Sequence, residues 1–175
     1  KGGSWDTGHG WTPLNDFSGE FDGNGYRIKG MNIYGNPGNY VGLFKRISRG
    51  KVYNLGMVDV KIGDLDEIKD ESYIGTVAGE IVGTVSKCYS SGNIVCPKSD
   101  SMYVGGIVGY FCGYATVSKC YNTSKIDNSV NADGRGVYVG GIEGFYRDAD
   151  DVGAEQCYNA GEISGSGVLN TYYSS

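Results

Sequence analysis

A four-part internal repeat limits what this chain can become more than any other feature. Tyr40-Val41-Gly42, Tyr73-Ile74-Gly75, Tyr103-Val104-Gly105 and Tyr138-Val139-Gly140 recur at separations of 33, 30 and 35 residues. A second series follows inside each unit: Val52-Tyr53-Asn54-Leu55, Val85-Ser86-Lys87-Cys88, Val117-Ser118-Lys119-Cys120 and Ala154-Glu155-Gln156-Cys157. In each, a small apolar residue precedes Leu or Cys by three positions. Ile94, Ile126 and Ile163 then come six residues after each Cys, while Val60 and Ile62 straddle that position in the first unit. Spacing within segments is fixed, and spacing between them varies. Phe44 to Val52 and Val77 to Val85 are eight residues, Ile107 to Val117 ten, and Ile142 to Ala154 twelve. Solenoids vary in this way, because stacked strands must hold register while corner loops can grow outward.

The same period would suit paired helices, but the composition opposes them. Gly supplies 31 of 175 residues, about two and a half times its usual share of roughly 7%. Each costs roughly 1 kcal/mol against Ala inside a helix. Short β-branched runs recur instead of a 3.6-residue periodicity. Only 3 Pro and no three-residue Gly period exclude collagen. Propeller blades usually run to about 40 residues or more. The residues therefore predict an all-β parallel β-helix with coils of about 30–35 residues. Its units are an opening coil, 1–39, and repeats 40–72, 73–102, 103–137 and 138–175. Lys1 opens in mid-pattern with no signal peptide, which reads as a fragment of a longer chain.

Aligned positions form columns. Phe44, Val77, Ile107 and Ile142 are apolar and are expected inside. The next column, Lys45, Ala78, Val108 and Glu143, contains two charged residues and is expected outside. Val41, Ile74, Val104 and Val139 are also apolar, although strand alternation would turn them outward. A bend at Gly42, Gly75, Gly105 and Gly140 would bury both apolar columns. Leu55, Cys88, Cys120 and Cys157 form a further inward column, read as a ladder of small buried thiols, with one stacked disulfide sterically conceivable. Cys96 and Cys112 lie off the ladder and are a candidate pair. Phe17 to Ile28 reads as strand, turn, strand, with Asn24-Gly25 at the turn. Met31, Ile33 and Tyr34 continue into a third strand.

Phe21-Asp22-Gly23-Asn24-Gly25-Tyr26-Arg27-Ile28, then Val41-Gly42-Leu43-Phe44 and Val52-Tyr53-Asn54-Leu55-Gly56, resemble the opening of GLUG-repeat proteins. Val104-Gly105-Gly106-Ile107-Val108-Gly109 and Val117-Ser118-Lys119-Cys120-Tyr121-Asn122 resemble that family's later repeats. The resemblance covers nearly the whole chain. It implies a right-handed parallel β-helix, a secreted or cell-surface bacterial protein and an adhesin-like role. It implies no catalytic residue. Thr76 and Glu143 depart from the Gly pattern, and Thr171-Tyr172-Tyr173 resembles the point where such arrays end.

The candidate chemistry is sparse, and no catalytic, cofactor or metal residue is assigned. The net charge is −5, with Lys and Arg scattered, which argues against nucleic acid. No apolar run reaches about 18 residues, so membrane insertion is not expected. Five Cys without a C-x-x-C pair and a single His, His9, disfavour zinc. His9 is expected in a loop rather than as a catalytic base. Asp22 and Asn24 fit turn hydrogen bonding, with calcium the lesser alternative. The acidic groups Asp64, Asp66, Glu67 and Asp148, Asp150, Asp151 are read as solvated loops, although calcium accepts such oxygens. The acidic groups and Arg27, Arg46, Arg49, Arg135 and Arg147 recur on no shared face, which disfavours a polysaccharide-degrading enzyme. Tyr89, Tyr121 and Tyr158 each follow an inward Cys and should form an outward stripe. That stripe is the candidate contact for a glycan or a host or matrix protein, and self-stacking is its plainer reading. Tyr40, Tyr73, Tyr103 and Tyr138 are ambiguous because of the Gly bend. Loops 63–72 and 127–137 are candidate binding elements. The expected role is an adhesive or structural module; the alternatives are a non-catalytic stalk of a secreted peptidase or a glycan-degrading enzyme. Exposed end coils allow end-to-end self-association.

Overall fold

Val52 and Leu55 are both buried although three residues apart, which a straight strand forbids. Between them Asn54 adopts φ 54°, and Lys87 (51°), Lys119 (54°) and Gln156 (52°) occupy the matching positions. Each left-handed residue turns a corner and returns the next side chain to the interior. The Val52, Val85, Val117, Ala154 column and the Leu55, Cys88, Cys120 column are therefore both buried, and Cys157 is half-buried.

The computed structural model describes residues 10–68, 70–131, 136–147 and 153–165. Their regular structure is entirely β, and each strand lies parallel to its sequence-repeat counterpart in four sheets. The first stacks Glu20–Asp22, Lys51–Tyr53, Thr84–Ser86 and Thr116–Ser118. The second stacks Arg27–Lys29 and Asn32–Gly35 on Gly56–Leu65, then Tyr89–Val95. It continues through Tyr121–Asn122 and Lys125–Asn128 to Tyr158–Asn159 and Ile163–Gly165. The third holds Tyr40–Val41, Ser72–Ile74, Met102–Gly105 and Val137–Gly140. The fourth holds Phe44–Ile47, Ala78–Ile81, Val108–Cys112 and Glu143–Arg147. The chain is a parallel β-solenoid, with Tyr73, Tyr103 and Tyr138 in register one coil apart.

One apolar core fills the interior from Met31 to Ala154. Two alignments differ from the sequence reading. Phe44 pairs with Ala78, not Val77, because the first repeat lacks the residue that is Thr76, Gly106 or Gly141 in the others. Leu43 instead joins Val77, Ile107 and Ile142, as the bonds Leu43 N–H to Thr76 O and Phe44 N–H to Val77 O show. The column expected outside is thus Phe44, Ala78, Val108 and Glu143, and all four are buried. Charge at Lys45 misled the assignment by one position, and Glu143 is a carboxyl inside the core.

Bends do follow the repeated glycines, and both neighbouring columns are buried as expected. Gly42, Gly75, Gly105 and Gly140 do not need positive φ, however. They are needed for space. A Cβ on Gly75 would lie 2.5 Å from Ala78 O and 2.6 Å from the Val108 Cα. Ile62 pairs with both Ile33 and Ile94, which completes the isoleucine column; a register shift between Ser90 and Gly92 absorbs the extra residue.

The opening segment forms one more coil, as its pattern suggests. Leu14 and Phe17 bridge to Phe44 and Ile47, and the Phe17 ring packs 4.9 Å from that of Phe44. Trp11 donates its backbone N–H to Asn32 O and so covers the outer edge of Asn32–Gly35. All five cysteines are free thiols, so neither a ladder disulfide nor a Cys96–Cys112 pair is formed. Cys120 and Cys157 accept hydrogen bonds at sulfur along the ladder: Cys88 N–H donates to Cys120 Sγ at 3.4 Å, and Cys120 N–H donates to Cys157 Sγ at 3.3 Å. The expected loop 63–72 begins later, since Gly56–Leu65 is strand. Asp127 and Asn128 likewise belong to Lys125–Asn128.

Candidate functional site

Strand register puts the repeated tyrosines face to face. Tyr89, Tyr121 and Tyr158 stack with centroids 5.0 and 5.4 Å apart and planes within 9°. The Tyr89 ring also lies over Gly56, where a Cβ would meet it. The faces proposed for ligand contact are therefore spent on one another, except at the Tyr158 end, which is 59% exposed. Stacked rings stabilise by roughly 0.5–1.5 kcal/mol per pair beyond area burial.

The ambiguous column resolves as a second, longer stack on another face. Tyr40, Tyr73, Tyr103 and Tyr138 are spaced 4.8, 5.4 and 5.3 Å apart. Beside it, across the Gly bend, runs the column Arg46, Glu80, Tyr110 and Phe145. Arg46 lies 5.4 Å from the Tyr40 ring centroid and donates to Glu80 Oε2 at 2.7 and 2.9 Å. That bond to Glu80 raises the guanidinium's affinity for its proton. Further along, Tyr110 meets Tyr73 edge-on at 5.4 Å, and Phe145 lies tilted against Tyr138 at 4.8 Å. The two columns thus form a trough of aromatic walls.

Within it lies a cleft of about 290 Å³ lined by Glu71, Tyr73, Tyr103, Tyr110, Phe145 and Arg147. Tyr73 donates its hydroxyl to Glu71 Oε2 at 2.6 Å. Burial first, and that carboxylate second, raise the Tyr73 phenol well above its ordinary range. Arg147 hydrogen-bonds the Tyr110 hydroxyl, while burial still raises the Tyr110 phenol. The cleft therefore offers phenols that hold their protons, together with the Glu71 carboxyl group and the Arg147 guanidinium.

The other candidates separate. Asp22 accepts from Asn24 N–H at 2.8 Å and Asn54 Nδ2 at 3.0 Å, the turn bonding expected of it, and those bonds hold its carboxyl below the usual range. Glu67 sits 3.8 Å from Lys98 Nζ. Among the described residues no three His, Cys, Asp or Glu converge as a metal site. His9, Arg135, Asp148, Asp150, Asp151 and Thr171-Tyr172-Tyr173 lie outside the described residues. The sequence reading missed Tyr110 and Phe145. Their column also holds Arg46 and Glu80, so it carries no uniform signal; only their shared position four residues past the Gly pair could have found them.

The fold and surface define a class: a parallel β-solenoid that displays outward aromatic columns at coil spacing. No family model matches the chain, and no solved structure matches it. It is 29% identical over 126 residues to Halomucin of Haloquadratum walsbyi, covering 71% of this chain and 1% of that protein. It is 37% identical over 84 residues to a protein of Evansella cellulosilytica whose name describes a Gly-rich membrane protein, covering 45% and 9%. The chain thus matches a small fraction of each relative's length. Both names are loosely compatible with a cell-surface location. Among the described residues no helix is long and apolar enough to cross a membrane.

Proposed function

We propose that this chain is a non-catalytic structural and adhesive repeat module of a GLUG-repeat bacterial cell-surface or secreted protein, with a glycan or a host or matrix protein as its ligand. The observation that carries this reading is the pair of in-register tyrosine stacks on different faces. Parallel coils fix outward side chains at a constant pitch, so a rigid rod presents the same chemistry repeatedly. Aromatic rings with polar tips suit such contacts because one end is apolar and the other hydrogen-bonds.

A passive stalk is the second reading, favoured by the small share of each relative that the chain covers. Binding of the purified chain to an array of glycans and matrix proteins separates the two. The adhesive reading expects saturable binding reduced by aromatic substitution on one face; a stalk expects none on any surface.

A further inference from the structure

We infer that the cleft between Glu71 and Arg147 binds one pyranose residue of an uncharged glycan. The inference rests on the adhesive reading above and moves its contact from Tyr89, Tyr121 and Tyr158 to a different face. Four aromatic residues wall the cleft, and its volume of about 290 Å³ lies at the small end of the ~300–1,000 Å³ typical of small-molecule sites. That size suits a single sugar ring better than an extended side chain or lipid.

The walls differ from the self-covered stacks. Tyr110 stacks on Phe145 at 5.9 Å, but in the preceding coil its column holds Glu80, not a ring. Tyr110 is therefore the last ring of its column and stands at 55° to Tyr103. A pyranose ring can lay its C–H face on such an aromatic wall and turn its hydroxyls toward the rim. The rim is polar on both sides. Glu71 has used one oxygen for Tyr73 and keeps acceptor capacity on the other. Arg147 has five donors, and among the described residues it hydrogen-bonds the Tyr110 hydroxyl.

Glu71 and Arg147 form no ion pair with each other; the described pairs are Lys29–Asp59, Arg46–Glu80, Lys98–Glu67 and Lys125–Glu162. A neutral polyol satisfies both groups, since each hydroxyl donates and accepts. A uronate would gain Arg147 but meet the Glu71 carboxylate, and an amine would gain Glu71 but meet the Arg147 guanidinium, so each charged sugar loses at one rim what it gains at the other. An extended peptide finds no backbone to pair with, because Met102–Gly105 already bonds strands on both sides.

Affinity electrophoresis of the full chain in gels containing dextran, mannan, galactan or polygalacturonate tests this. The expected result is retardation by at least one neutral polysaccharide. Glu71→Gln and Tyr110→Ala should each weaken it at least ten-fold, and Tyr121→Ala should leave it unchanged. Glu71→Gln keeps the side-chain shape, so its loss of binding is not a folding effect; far-ultraviolet circular dichroism verifies Tyr110→Ala. Retardation lost in Tyr121→Ala but kept in Tyr110→Ala would overturn the cleft while leaving glycan adhesion standing. Retardation by polygalacturonate alone would overturn the neutral class. No retardation in any gel would overturn the inference, and binding to a matrix protein on the array would still support the adhesive reading.

Discussion

The side chain of Asn122 occupies the space into which a Cβ on Gly106 would project, and Asn159 does the same to Gly141. The pairing is reciprocal in size. Where the preceding coil carries the smaller Ser90, in register with Asn122, it carries Thr76 in place of the glycine. Thr76 then uses the room to donate its hydroxyl to Gly106 O at 2.7 Å. In the third and fourth coils the asparagines bond directly, Asn122 Nδ2 to Asn159 Oδ1 at 2.8 Å. The apparent departure at Thr76 is thus half of a matched pair.

Ser90→Asn should destabilise the chain by about 1–3 kcal/mol through overpacking against Thr76. Adding Thr76→Gly recreates the arrangement of the third coil and should recover part of that loss. A double-mutant cycle from urea unfolding midpoints measures the coupling. A favourable coupling of about 1 kcal/mol or more is expected; additive losses would contradict the size match.

The left-handed corners give a second test. Lys119 is exposed and holds φ 54°, a conformation costing roughly 1–2 kcal/mol for a residue with a Cβ. Lys119→Gly should raise stability by about 0.5–1 kcal/mol. Lys119→Val should lower it by about 1 kcal/mol or more, because a β-branched residue tolerates this region poorly. The same urea midpoints check both, and a destabilising Gly would show that the corner depends on the lysine side chain.

Glu143 makes stability depend on pH. Burial is the main cause that lifts its carboxyl from 4.5 to about 7, against the opposing backbone N–H of Ala154, and Oε2 has no hydrogen-bond partner among the described residues. The folded chain therefore keeps a proton that the unfolded chain releases between these values. Stability should be full below pH 4.5 and fall as pH rises through about 7, by up to roughly 3 kcal/mol. Glu143→Gln removes the titration. Its stability should be close to the parent's at pH 5 and clearly higher at pH 8; parallel profiles would contradict a buried, proton-holding carboxyl.

Thiol reactivity should rank the cysteines by place in the fold. Cys112 is half-buried and should be alkylated first. Cys96 is 2% exposed, and burial pushes its thiol up to about 12, so little reactive thiolate is present. Cys88 and Cys120 are sealed in the core ladder. Peptide mapping after brief alkylation should show Cys112 modified at least ten-fold faster than Cys88, Cys96 or Cys120. Equal rates would mean that the ladder opens readily.

Much of the architecture was legible because the repeat fixes it. Positions such as Tyr73, Tyr103 and Cys120 recur at constant internal spacing, and hydrogen-bonded register follows from that constancy. The first coil was harder. Its missing residue after Gly42 leaves Phe44 looking like the counterpart of Val77, and only the ladder reveals Ala78 as the partner. Glu143 was misplaced because a charge inside a core breaks the usual rule. The left-handed corners carry Asn, Lys, Lys and Gln, which share no chemical signature. The cleft was invisible for a similar reason: Tyr110 and Phe145 meet the Tyr73 stack only through a bend between two sheets.

The stacking of coils can be read directly from couplings across hydrogen bonds. Tyr89 N–H bonds Leu55 O, Tyr121 N–H bonds Cys88 O, and Tyr158 N–H bonds Cys120 O, at 3.1–3.2 Å. A long-range HNCO experiment on the labelled chain should correlate each tyrosine amide with the carbonyl carbon of that residue one coil earlier. Correlations to carbonyls four residues earlier in sequence, or to positions shifted by one along the neighbouring coil, would contradict the parallel in-register solenoid.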